Sequence, residues 1–507
     1  MIQTALEYHR LTSYQRHDMQ PHFLDWNNTP RTYKAYPDLP NYTLDSTDSC
    51  PQKSLWDLLE SKAERKRNSQ FDIKNLSDLL LLSYTLTAKR HMGSQTMYYR
   101  SVPSAGALYP TELYIWSHAI SGLDPGIYYY DIYGFSLKQL RSAYIAAFTE
   151  AGQNASLYGD VAATILLSGI FFRSAWKYRT RAFRYVSLDT GHLLENIGLA
   201  LKLYALPHTI SHAFDDARQN HLIGVDGKRE ACFVGIQIYG QPQKQQPKER
   251  PPGDLETLDK GILDASRVSA GEREDETIVA MYQSGSTIQE QLTDPRLSQV
   301  MDPEILDSFS ITIPPSSDPI LPHAETVRKR RSIRTYESTI YPRHRLMQLL
   351  TLLCRPISTK SRPHIAAESN IAIGFLANNV SDLKPGYYLL DQADKTCHLV
   401  KPGNLIPQMA AVCLNQDWLR HAPLHFLFMA NLEQLDRRLG PRGYRYSLIN
   451  AGRMGQRLYL GATAMGDGCC GIGALYDQEA KDLLGLNEAS YLLYLVAVGS
   501  PTVSSRQ

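Results

Sequence analysis

Cysteine is scarce in this chain, seven among 507 residues and odd in number. With no export signal in sight, free thiols are a better reading than a disulfide framework. The first 18 residues hold no apolar stretch of the secretory kind. The longest apolar runs, residues 76–86 and 161–172, fall well short of the roughly 20 residues that span a bilayer. The cytoplasm is therefore the expected compartment, with no membrane partner. An excess of one charge is lacking too: 53 Lys and Arg against 51 Asp and Glu leave a formal net charge of +2. No global field then recruits nucleic acid. No Gly-x-x-x-x-Gly-Lys-Ser/Thr segment occurs, so a P-loop site is not expected.

A hydrophobic fraction of 43% and a charged fraction of 21% suit a globular protein. At 507 residues the chain exceeds one ordinary core, so two domains are expected. An internal repeat supports that division. Leu123-Asp124-Pro125-Gly126-Ile127-Tyr128 returns as Leu383-Lys384-Pro385-Gly386-Tyr387-Tyr388, an offset of 386 − 126 = 260. Arg181-Ala182-Phe183-Arg184-Tyr185 returns as Arg442-Gly443-Tyr444-Arg445-Tyr446, an offset of 442 − 181 = 261. The closing apolar segment 234–240 returns as 492–499, near 259. A chance Pro-Gly turn would not hold register over a hundred residues.

Each copy predicts the same order of elements: an amphipathic helix (76–86; 346–353), a strand after the Pro-Gly turn, and an apolar strand (163–172; 424–429). A long helix (188–204; 448–465) and a last strand close each copy. Strands separated by long helices indicate a layered α+β or α/β fold. The Pro- and Gln-rich run 241–253 cannot bury a core and reads as linker. The boundaries expected are an extended arm over 1–55, domains over 56–245 and 321–507, and a linking, surface-wrapping segment over 246–320.

In the second copy, Arg330-Arg331-Ser332-Ile333-Arg334 sets guanidinium groups and a hydroxyl within five residues, donors suited to a phosphate. Alone, this is a solvated basic turn, and 328–331 also mimics a nuclear-localisation run. Near the end of the same copy stands Gly468-Cys469-Cys470-Gly471-Ile472-Gly473-Ala474. Together the two segments resemble the nitroreductase family of flavoproteins. The resemblance implies that Arg330, Ser332 and Arg334 hold an FMN phosphate. It also implies that Gly471, Ile472, Gly473 and Ala474 bring backbone N–H groups to the flavin ring, glycine allowing close approach. The first copy carries Pro103-Ser104-Ala105-Gly106-Ala107-Leu108-Tyr109-Pro110, which resembles the loop of the SagB/ThcOx/McbC-type azoline dehydrogenases. Pro103, Ser104, Ala105 and Gly106 are then expected at the flavin of the other half. Lys177-Tyr178 looks like the Lys-Tyr pair of that branch. A neighbouring ammonium can favour a phenolate, but which of the two is the base stays open, because neighbours in sequence need not share a face. The plainer reading of Lys177 is a surface lysine flanked by packed Trp176 and Tyr178.

The copies have decayed in complementary ways. The Gly473 position is His212 in the first copy, whose nearest match to the phosphate segment is Lys62-Ala63-Glu64-Arg65. The second copy has 362–368 in place of the Pro-Ser loop, and Arg438-Leu439 in place of Lys177-Tyr178. One composite site keeps every part and the other none. The expectation is α+β, two fused nitroreductase-like domains with antiparallel-rich sheets forming a pseudo-dimer, with one FMN per chain.

The activity implied is FMN-dependent dehydrogenation of the azoline-to-azole kind, on a peptide or small molecule, with Lys177 or Tyr178 moving the proton. Two alternatives stand beside it: an NAD(P)H-dependent nitro or quinone reductase, and a non-catalytic flavin-binding scaffold for biosynthetic partner enzymes. His208 and His212 have i, i+4 spacing but no third ligand, so no metal is expected. Cys469-Cys470 lacks Cys-x-x-Cys spacing and reads as small packed residues.

Overall fold

A computed structural model describes residues 2–19, 23–45, 50–60, 71–92, 95–142, 160–240, 256–286, 299–312, 318–356, 361–362 and 370–502. The linker 241–253, the segment 62–65 and most of 362–368 lie outside them.

Two sheets dominate. The first runs Asn41–Thr43, Ser136–Arg141, Gly126–Asp131, Thr111–Ser117, Asp160–Ile170, Glu230–Gly240, His208–Ser211, Ser361–Arg362 in spatial order. The second runs Asp307–Ser310, Thr396–Pro402, Gly386–Asp391, Ala372–Ala377, Leu424–Asn431, Ser490–Gly499, Gly468–Ile472. The orders match strand for strand, and each sheet is antiparallel throughout its repeated part. The strand Ser361–Arg362 crosses from the second half to pair in parallel with His208–Ser211 of the first.

Element boundaries follow local chemistry. The first expected helix starts earlier than hydrophobic spacing alone places it, at Ile73, because Asp72 and Asn75 form a reciprocal capping box; it ends at Ser83. The two long helices are Ala182–Leu203 and Arg442–Ala464, each extended at its N-terminus beyond the apolar run. Both end alike, with Ala205 and Gly466 left-handed and Leu206 and Asp467 donating back to Leu201 and Ala462.

These helices cross at the centre, glycine on glycine. Gly191 and Gly452 stand 261 positions apart, 452 − 191, as do their neighbours Leu188 and Ile449. A Cβ on Gly191 would lie 2.1 Å from the Ile449 carbonyl oxygen, and one on Gly452 2.2 Å from that of Leu188. Main chain cannot swing aside as a side chain can, so Gly452→Ala is expected to cost about 2–3 kcal/mol. Gly261, whose added Cβ meets nothing, supplies the control. Urea unfolding should show a clear loss for Gly452→Ala and none for Gly261→Ala; equal behaviour would refute the crossing.

Buried ion pairs repeat the same symmetry. Arg181 and Arg184 of the first half reach Asp477 of the second at 2.6 and 2.7 Å. Arg442 and Arg445 of the second reach Asp216 of the first, both at 2.9 Å. The repeated Arg-x-x-Arg segments are therefore a seam between the halves.

The N-terminal segment differs from the extended arm expected. It opens with the helix Ala5–Leu11, capped by Thr4, whose Ala5 N–H donates to Asp436 of the second half at 2.7 Å. His9 is buried, with Nδ1 2.8 Å from the Tyr444 hydroxyl and Nε2 3.2 Å from Asp477. Burial and the facing Arg184 lower His9 to about 3, so it is neutral and donates Nε2–H to the carboxylate. Farther on, Lys34 is buried against Glu230 at 2.8 Å. Of the connecting segment, Ile278, Met281 and Tyr282 on the helix Glu276–Ser284 are buried, while Asp307–Ser310 extends the second sheet.

Candidate functional site

Three backbone segments meet at the seam. The loop 101–109 leaves the hairpin Leu86–Met92/Gln95–Arg100 and turns sharply. Gly106, Ala107 and Tyr109 all have positive φ, at 66°, 55° and 46°. Two of these carry side chains, so the turn stores backbone strain, a mark of sites where geometry is held for function. The segment 330–334 follows the helix His323–Lys329 and runs beside the edge strand Gly468–Ile472, Ile333 N–H donating to the Cys469 carbonyl at 3.0 Å. The third segment is that edge strand with Gly473 and Ala474 beyond it.

Between them lies an open cleft bordered by both halves. Pro103, Ser104, Ala105, Gly106 and Tyr178 line it from the first half. Ser332, Arg334, Gly471, Ile472, Gly473 and Ala474 line it from the second. The glycine-rich turn is mostly strand, and the structure gives its glycines protein reasons. A Cβ at Gly471 would lie 1.8 Å from the Tyr494 hydroxyl, and one at Gly473 2.7 Å from the Tyr185 ring. The Gly471 N–H already donates to the Tyr459 hydroxyl at 2.8 Å.

Two expected contacts turn out differently. Arg330 is buried behind the cleft rather than lining it, donating to the carbonyls of Ser101 and Arg100 at 2.8 and 3.0 Å. It clamps the Pro-Ser loop to the second half. Lys177 is exposed at the rim, its ammonium 5.5 Å from the centre of the Tyr178 ring, over the face and not at the phenol oxygen. The phenol is pushed up by burial and by Asp189 and Tyr14, against Arg334. Tyr178 is thus a hydroxyl donor at neutral pH and no phenolate is favoured.

Several lining residues carry no motif. Tyr185, Leu188, Asp189 and His192 line the cleft as one stripe, spaced by three or four, of the helix Ala182–Leu203. That periodicity is the signal from which they could have been found. Burial lowers His192 to about 3. Gln456 donates its amide to Asn196 at 2.7 Å and so presents its oxygen to His192 Nδ1 at 2.9 Å. His192 Nε2 then accepts from the Tyr494 hydroxyl at 3.0 Å. Asp189 is pushed up to about 7 by burial, opposed by hydrogen bonds from Ser104 and Ala105.

The mirror-related place is built from the residues 261 positions away. His212 stands for Gly473 and Leu439 for Tyr178, while Asn450 and Arg453 stand for Asp189 and His192. Arg453 and Arg457 converge on Glu195 at 2.8 and 2.6 Å, all three buried, and His212 is fully buried against Tyr446. His208 begins a strand and His212 follows it, so the two do not share a helix face.

An anionic cofactor with a planar ring fits the open cleft. Arg334 and Ser332 are exposed at its edge, and among the described residues the buried Nη1 of Arg330 and hydroxyl of Tyr185 meet no hydrogen-bond partner.

The Nitroreductase family model matches residues 69–240 and again 327–500. A curated protein of Methanocaldococcus jannaschii that carries a nitroreductase name is 29% identical over 174 residues, 34% of this chain and 87% of that protein. A crystal structure from Anabaena variabilis ATCC 29413, also under a nitroreductase name, superposes with a TM-score of 0.75 at 24% identity, covering 99% of this chain and 100% of that one. The fold is thus shared along its whole length, tandem repeat included.

Proposed function

From the premise that this chain belongs to the nitroreductase family, we propose that it is an FMN-dependent oxidoreductase with one flavin per chain. The observation that carries this reading is the asymmetry of the seam. Ser332, Arg334 and Gly471–Ala474 from one half and Pro103–Gly106 with Tyr178 from the other border an open cleft, while His212, Arg453, Arg457 and Glu195 occupy the mirror place. Ser332 and Arg334 supply hydroxyl and guanidinium donors to the phosphate, with Arg330 behind them. Pro103, Ser104, Ala105, Gly106, Gly471, Ile472, Gly473 and Ala474 shape the slot for the ring. When bound, FMN supplies two-electron hydride chemistry.

The resemblance of the Pro-Ser-Ala-Gly loop and the Lys177-Tyr178 pair to those of azoline dehydrogenases supports an azoline ring in a small molecule or peptide, oxidised to the azole, as the substrate class. Tyr178 offers its hydroxyl to the substrate and Lys177 its ammonium at the rim. Lys177→Ala and Tyr178→Phe are each expected to lower turnover on the order of 10²-fold or more with flavin retained. Unchanged product would instead mean a scaffold, and rapid bleaching of bound flavin by NADPH would mean a reductase.

Flavin stoichiometry tests the composite site. Purified protein is expected to carry one FMN per chain by absorbance after denaturation, and a value near two would overturn the reading.

A further inference from the structure

We propose that Asp189 is the proton-holding residue of the cleft, with Ser104 as the donor that steadies it. In its bearing on turnover this rests on the flavin reading above.

The carboxyl differs from six other buried acids. Glu112, Glu195, Asp216, Glu230, Asp467 and Asp477 each meet an arginine or lysine within 3 Å. Among the described residues no cation forms an ion pair with Asp189. Its partners are the Ser104 hydroxyl at 2.5 Å and, at 3.4 Å, the Ala105 N–H. A buried carboxylate without a counter-ion is costly, so such a group takes up a proton readily. Asp189 lines the cleft, so the proton it holds is within reach of whatever binds there.

The groups around it fix the direction. Tyr109 of the loop, Tyr178 at the end of its helix and Tyr494 on the closing strand all feel the Asp189 charge, and each phenol is raised by burial. They stay protonated. Tyr185 is raised likewise, and His192 on the same helix is lowered to about 3 and stays neutral. Arg334 faces Tyr178 across the cleft and favours an anion. What remains to titrate near neutrality beside these groups is Asp189, held at about 7. The internal control is Asn450 at the mirror place, where the same helix position is buried and carries no acid.

The chemistry has a use for such a group. Oxidising an azoline to an azole removes two protons and two electrons; one hydrogen would leave as hydride, with the electron pair, to the flavin, and the other as a proton. The Asp189 carboxylate takes that proton, becoming the neutral acid, and releases it to water afterwards. In the reductive direction the acid gives it back.

Infrared spectroscopy of the flavin-free protein reads this directly. In the difference between the parent and Asp189→Asn, a carboxylic-acid carbonyl band is expected at pH 6, fading through about pH 7, which separates it from the band of Asp467, pushed up to about 6 by burial. Ser104→Ala removes a donor that favours the charged form, so the midpoint should move to higher pH. In flavin-loaded protein the rate of a single turnover should follow the same midpoint, move with it in Ser104→Ala, and fall on the order of 10²-fold or more in Asp189→Asn. No titrating band near neutrality, or the same band in Asp189→Asn, overturns the proposal. A band that behaves as described in a protein that never binds FMN sinks the flavin reading and leaves this one standing.

Discussion

Asp477→Ala is expected to cost about 3–5 kcal/mol of stability, because it strands two buried arginines. Arg181 and Arg184 are 2% and 3% exposed in their side chains, so water cannot replace the lost anion. Both arginines hold the Asp477 carboxyl well below the usual carboxylate range despite burial. Its contribution is therefore fully present above the ordinary carboxylate range and lost only as pH falls through the lowered value. The same variant should weaken flavin binding, since Arg181 also donates to the Gly473 carbonyl at 3.0 Å and so fixes one wall of the cleft. Asp216→Ala is the matched experiment. It strands Arg442 and Arg445 in the same way, but Arg442 donates to the His212 carbonyl at 2.9 Å, on the filled side. Chemical denaturation should find both variants equally weakened, while flavin titration should find only Asp477→Ala impaired. Equal loss of flavin in both would mean that the two sides are not functionally distinct.

Arg334→Glu should abolish practical flavin binding with little effect on folding. The guanidinium is exposed, so the fold does not depend on it. A charge-assisted hydrogen bond is worth roughly 1.5–3 kcal/mol, and an anion facing the phosphate adds repulsion. A loss of about 3–4 kcal/mol corresponds to a 10²- to 10³-fold rise in Kd. Fluorescence quenching of free FMN measures it; a variant as yellow as the parent would remove the anchor from the account. Arg330→Ala would answer a different question, because that side chain also ties the halves together through Ser101 and Arg100.

The duplication was legible in the sequence because the repeated segments do matching work. Arg181-Ala182-Phe183-Arg184 and Arg442-Gly443-Tyr444-Arg445 kept register since each grips an acid of the other half. The lining of the cleft was legible where a motif marked it, at Pro103–Gly106, Ser332, Arg334 and Gly471–Ala474. Lys177 and Tyr178 were harder, for a sequence gives adjacency but not direction. Successive helical side chains diverge by about 100°, which sends the lysine to the rim and leaves the phenol inside. Arg330 has the same chemistry as Arg334, and only the fold shows that backbone carbonyls have claimed it. Asp189 and His192 sit in a helix otherwise read as core, where one acid and one imidazole give no pattern by themselves. The N-terminal helix was missed because seven residues capped by Thr4 are stabilised by docking on Asp436, a partner more than 400 positions away.

The glycine at 473 and the histidine at 212 illustrate what fusion permits. In an assembly of two identical polypeptides every substitution is inherited twice, so a bulky ring at this position would crowd both clefts together. Joined in a single gene product, the repeats are free to diverge, one keeping an open cleft while its sibling becomes a brace.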